Sequence, residues 1–272
     1  MTTQLLIYET AVPISHGRHG QYSVDAAGGY AFSRHVNAVP LMAVEFPSAT
    51  GEYAIVFAGK DDTLMPAVVL GMRGKENAYL DANDGWRATY VPAFLRRYPF
   101  VFSTSEDGKT FTLCIDEAFS GFNKEGRGQA LFGEDGKPTP YVENVLKFLQ
   151  DYQTQFQRTQ AFCDKLRKLD LLEPMQATMS LESGEKLSLT GFMAVDRKKL
   201  LALPGEVLAD LAKTDELELI YLHLHSMRNF NNARDRLVVI PGGKEGTQHS
   251  PQAADEAPNK AAKKAAKEAK EA

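Results

Sequence analysis

From Tyr141 onward the apolar residues fall at Val142, Val145, Leu146, Leu149, Tyr152 and Phe156, then at Phe162, Leu166 and Leu169. Steps of three and four place them on one face of a 3.6-residue helix. The stretch therefore predicts one long amphipathic helix, with a candidate break near Thr159 and with Pro174 beyond its end. Such a helix must lie on an apolar surface, and the chain on either side has to supply it.

The first 137 residues read as strands. Ala54 to Phe57, Ala67 to Leu70 and Thr110 to Ile115 are short β-favouring runs bounded by Gly, Asp, Asn and Pro. NAYLDANDGWRATYV has the pattern of a hairpin around Asn83-Asp84-Gly85, and EDGK at 106–109 supplies another turn. After the helix, TMSLESGEKLSLTGFMAV predicts two strands around Ser183-Gly184, and a further helix is expected over 204–213, where Pro204 suits the first turn. LELIYLHLHSMRNF fits both alternation and helical spacing; helix is favoured because RNFNNARDRL extends it without a turn signal. The expected class is α+β: a β-rich N-terminal antiparallel sheet (1–137), the long helix, then a smaller hairpin and helices, within one globular region 1–240. Residues 241–272 lack core-building residues and read as a disordered Lys/Ala-rich tail.

Charge and cysteine content narrow the function classes. Lys and Arg number 31 against 35 Asp and Glu, a formal charge of −4, which argues against a general nucleic-acid binder. No stretch approaches the ~18 uninterrupted apolar residues of a spanning helix, and the N-terminus lacks the pattern of an export signal. Cys114 and Cys163 lie in unrelated segments, as expected of two buried free thiols in a reducing cytoplasm.

Sites for cofactors and metals find no support in the motifs. GRGQALFG (126–133) misses the dinucleotide fingerprint by two residues and opens no helix after a strand. DANDG has its Gly one residue early for a calcium loop. Neither a nucleophile elbow, a zinc helix nor a Cys/His cluster is present. His223 and His225 would share a face on a strand, but on a helix about 200° separates them.

The segment GWRATYVPAFLRRYPF (85–100) is the richest in recognition chemistry. Trp86, Tyr90 and Tyr98 join apolar rings to polar tips, which suits a core edge or a contact surface. Glu45, between Val44 and Phe46, requires partners if desolvated, and Arg96 or Arg97 would match it with a two-pronged fork. Two adjacent arginines on a strand cannot both point inward, leaving one for an external anion.

Taken together, VPLMAVEFPSATGEYAIVF (39–57), GW…YVPAFLRRYPF (85–100), LF…GKPTPYVENVLKFLQ (131–150), RTQAFCDKL…LDLLEP (158–174), LTGFMAVDRKKLLALP (189–204) and LELIYLHLHS (217–226) resemble the bacterial SapC family. The resemblance runs from the N-terminal third nearly to residue 237. The family is named for a gene of a surface-layer locus; an unrelated peptide-transporter permease shares the name, and a chain without spanning helices cannot be that permease. At 222–225 the chain reads LHLH where the family pattern is nearer AHLI, so His223 fits and His225 departs. The resemblance carries over no catalytic residues. It implies a link to surface-layer or envelope biogenesis; with the residues read above, the expected function is that of a cytoplasmic, non-catalytic accessory or binding protein that recognises a protein, peptide or small anionic ligand. The candidate binding residues are Glu45, Trp86, Tyr90, Arg96, Arg97, Tyr98 and His223. The alternative is an enzyme or cofactor-dependent modifying factor that uses Glu45 and His223 in one pocket.

Overall fold

The computed structural model describes residues 6–105, 110–180 and 184–231. The EDGK turn and the Lys/Ala-rich tail lie outside these residues. In chain order the elements begin with β1 (Ala11–Pro13), α1 (His16–His19), β2 (Ser23–Val24), β3 (Ala38–Pro40), α2 (Phe46–Ala49), β4 (Ile55–Ala58) and β5 (Met65–Val69). There follow α3 (Ala93–Arg96), β6 (Phe100–Thr104), β7 (Phe111–Asp116), β8 (Phe122–Asn123), β9 (Gln129–Ala130) and α4 (Pro140–Lys168). The last are β10 (Leu172–Ser180), β11 (Lys186–Val195), α5 (Arg197–Leu201), α6 (Gly205–Lys213) and α7 (Glu216–Ser226). The fold is α+β with antiparallel sheets.

Among the described residues two compact units alternate along the sequence: 6–32 with 96–153, and 33–95 with 154–231. The first holds two three-stranded sheets, ordered β1-β7-β6 and β8-β2-β9. Its core joins Phe100, Phe102 and Ile115 to Val24, Phe119 and Leu131, closed by Val142 and Leu149 of α4. These two helix residues are seven apart, so they fall on the same stripe.

The second unit is built on a five-stranded sheet ordered β10-β11-β4-β5-β3. Both edge strands carry a proline, Pro174 in β10 and Pro40 in β3, where a missing amide is tolerated. The C-terminal hairpin is thus no separate layer: β11 pairs with β4 through Met193 and Phe57. Along β11 the buried residues run Leu187, Leu189, then Phe192 and Ala194, a break in the two-residue alternation. A register shift absorbs the extra residue, and Gly191 takes φ +79 there, a conformation glycine adopts without steric cost. As a result Leu187, Leu189 and Phe192 all reach the cluster of Val56, Val69 and Met72.

Strand β4 is buried on both faces. Val56 joins that cluster, while Phe57 on the opposite face stands 6.3 Å from the Phe162 ring of α4 and 5.0 Å from His223 of α7. This explains why Ile55–Ala58 reads as an unbroken apolar run rather than an alternating one.

Helix α4 runs without the break considered near Thr159. The Thr159 hydroxyl donates to the Gln155 carbonyl at 2.7 Å and accepts the Ala43 amide at 2.9 Å, so its polarity is satisfied inside the helical pattern. The expected hairpin over 77–91 is reduced to one bridge, Leu80 to Trp86. Asp81 explains the difference: its Oδ1 accepts the amides of Asn83 and Gly85 at 2.8 Å each, which tightens the turn, and the chain then leaves as a loop. Residues 216–226 are helical, as favoured.

Candidate functional site

Glu45 ends a 3-10 turn, Ala43–Glu45, and is 5% exposed. Its Oε2 accepts the Met42 amide at 2.8 Å, while Oε1 accepts the Ala93 amide at 2.7 Å and the Tyr90 hydroxyl at 2.6 Å. The carboxylate takes its hydrogen bonds from these three donors, and no guanidinium is among them. The fork expected from Arg96 or Arg97 is therefore not what satisfies Glu45. Backbone amides and one phenol do so, because the turn and the start of α3 present theirs to it.

Trp86 and Tyr90 belong to the same construction. Trp86 Nε1 donates to the Tyr53 hydroxyl at 2.8 Å and to the Tyr90 carbonyl at 3.1 Å. The Tyr53 hydroxyl donates to that same carbonyl. The Trp86 ring stacks on Tyr79 and Tyr79 on Tyr53, while Glu52 accepts the amides of Thr89 and Tyr90 at 2.8 and 2.9 Å. Both side chains are half-buried, with polar tips bonded to protein. They form a core edge.

In the first unit, Arg96 and Arg97 follow one another at the end of α3, and the helical rotation between them sends them apart. Arg96 is exposed, with its guanidinium 5.5 Å from the Phe148 ring. Arg97 is buried, its guanidinium 4.9 Å from the Tyr152 ring and 5.6 Å from the Tyr8 ring, positions at which ring quadrupoles stabilise a cation. Tyr98 stacks on Phe32 with centroids 4.1 Å apart and donates its hydroxyl to Asp116 at 3.3 Å. Asp116 is fully buried and accepts the amides of Glu9, Thr10 and Ala118. Burial pushes the Tyr8 hydroxyl up to about 12, and burial with the Asp116 charge raises Tyr98 as well.

His223 lies fully buried in the second unit. Nδ1 stands 2.8 Å from the Ile55 carbonyl oxygen and Nε2 3.0 Å from the Val195 amide nitrogen. A carbonyl can only accept and an amide only donate, so the neutral Nδ1–H tautomer is the one that fits. Burial holds its pKa down to about 4. Glu45 and His223 share no hydrogen-bond partner. Each has its bonding committed to holding the fold.

The sequence reading missed a groove of about 420 Å³ lined by Arg197, Glu218, Tyr221, Leu222, Leu224 and His225. Asp196 caps α5 by accepting the amides of Lys198 and Lys199, which sets Arg197 at its first position. On α7, Ile220 and His223 are buried while Glu218, Tyr221 and His225 are exposed, at helical spacing on the opposite side. The signal was present once 217–226 is read as a helix: the residues left over from the buried face form a polar-aromatic stripe. Among the described residues Arg197, Glu218 and His225 make no side-chain hydrogen bond or ion pair.

Among the described residues no three His, Cys, Asp or Glu side chains gather as a metal site, and no helix is long and apolar enough to cross a membrane. In comparisons with known proteins, a family model described as SapC matches residues 14–232. No curated protein and no solved structure matches the chain.

Proposed function

Since the chain belongs to the SapC family, we propose that it is a non-catalytic accessory protein that captures a protein, peptide or small anionic ligand in the α5–α7 groove. The proposal places it in the cytoplasm, in support of surface-layer or envelope biogenesis. One observation carries it: the charged groups of the groove are uncommitted, whereas Glu45 and His223 are bonded to their own chain. An unpaired Arg beside an exposed aromatic ring and two leucines has the mixed character of a recognition site. Arg96, exposed on the first unit, is not among the groove's lining residues. The two buried free thiols suit a reducing compartment. No observation favours the enzyme reading built on Glu45 and His223, because a base or acid there would first have to release structural hydrogen bonds.

The test places a photo-crosslinking amino acid at Tyr221 in cells that carry the native protein, with Phe111 as the control position. Both are exposed. A discrete adduct from position 221 alone, lost on Arg197→Glu, is the expected result. The same pattern from both positions, or an adduct indifferent to Arg197, overturns the proposal.

A further inference from the structure

The lining of the groove is specific about charge. Arg197 offers a fork that matches a carboxylate bidentately, Glu218 offers an acceptor, and neither side chain makes a hydrogen bond or ion pair among the described residues. A polyanion would meet repulsion from Glu218, and a cation would meet it from Arg197. The chemistry both favour is one molecule that presents a carboxylate and, close to it, an N–H donor. Leu222, Leu224 and the exposed Tyr221 ring supply the rest of the wall, so the body between those groups is apolar. His225, exposed on the Tyr221 side of α7, adds a group that can donate to the same anion.

Resting on the binding reading above, we propose that the groove holds an α-carboxylate with an N–H on the adjacent carbon and an apolar side chain. The carboxylate lies on Arg197, the N–H on Glu218, and the side chain on Tyr221 and the two leucines. A free amino acid such as leucine and the C-terminal residue of a peptide both carry this set. The volume, about 420 Å³, falls in the range of small-ligand sites. Leu201, four residues from Arg197 on α5 and 63% exposed, extends apolar surface along the same helix face, where the residue before a peptide's last one could lie.

Calorimetric titration of the full chain tests this with three probes: leucine, Gly-Gly-Leu, and Gly-Gly-Leu with its C-terminus amidated. Binding of leucine, of the free-acid tripeptide or of both supports the proposal, and which of them binds identifies the source. The amide should bind at least about tenfold more weakly, as should either acid to Arg197→Gln, since each change removes a charge-assisted bond. Glu218→Gln should weaken binding of leucine, whose N–H is an ammonium, more than that of the tripeptide, whose N–H is an amide. Equal binding of acid and amide, unchanged binding to Arg197→Gln, or no heat from any probe at millimolar concentration overturns the proposal. If no probe binds while the Tyr221 adduct persists in cells, the ligand class alone is wrong. If both are absent, the groove is not the binding site.

Discussion

His223 Nδ1 donates to the Ile55 carbonyl, 168 residues distant in sequence, across 2.8 Å of the second unit's interior. With Nε2 on the Val195 amide at 3.0 Å, one imidazole joins α7 to the two strands that meet at Phe57 and Met193. Nε2 can accept the Val195 amide only while the ring is neutral, because protonation turns that nitrogen into a donor.

That condition gives a pH dependence. The folded pKa of about 4 lies below an unfolded value of about 6.5, so between these values the unfolded chain binds a proton that the folded chain excludes. Stability therefore falls as pH drops from about 6.5 towards 4, by roughly 3 kcal/mol from this group. His223→Gln cannot titrate. Urea unfolding at pH 7, 5.5 and 4 should show the wild-type advantage over it shrinking with acid; parallel curves would contradict the assignment. His19, also lowered by burial, adds a loss of the same sign to both proteins.

Glu45→Gln should cost about 2 kcal/mol, because an amide NH2 would face a donor where a carboxylate oxygen now accepts. Tyr90→Phe removes a single donor and should cost about 1 kcal/mol. The double variant should lose less than the sum, since the pair shares one bond. Additive losses in urea would show that the 2.6 Å contact contributes nothing.

Arg97→Ala should destabilise by about 2 kcal/mol and Arg96→Ala by under about 0.5 kcal/mol, because the first empties a place between two tyrosine rings and the second trims an exposed side chain. Thermal unfolding of the two variants separates them. Equal losses would refute this division of labour.

Neither thiol should react with a disulfide reagent in the native state at pH 8. Burial raises Cys114 to about 11 and Cys163 further, so the reactive thiolate is scarce and shielded. Two equivalents should appear on denaturation. A fast native equivalent would mean that one cysteine is accessible.

What the sequence revealed, it revealed through local periodicity. The spacing from Val142 to Leu169 is enough to recognise α4, and the unbroken run at Ile55–Ala58 reflects a strand covered on both sides. The partner of the C-terminal hairpin was not legible, since pairing of Met193 with Phe57 depends on where distant segments meet. Glu45 shows the same limit. Its burial could be inferred from Val44 and Phe46 as neighbours, although Val44 itself is 60% exposed. Its donors could not be inferred, because two are backbone amides, which every residue but proline carries. The groove was hidden behind the helix-or-strand ambiguity of 217–226, which propensity alone leaves open.

The prolines at the two edges of the five-stranded sheet have a consequence for association. Pro40 and Pro174 interrupt the rows of amides that a foreign strand would need in order to extend β3 or β10. Strand addition, a common way for one polypeptide to seize another, is thereby disfavoured at both ends, and so is edge-to-edge stacking of copies. A polypeptide that meets this unit has to be held by side chains, and sequence-reading contacts of that kind discriminate between partners where a backbone ladder would accept many.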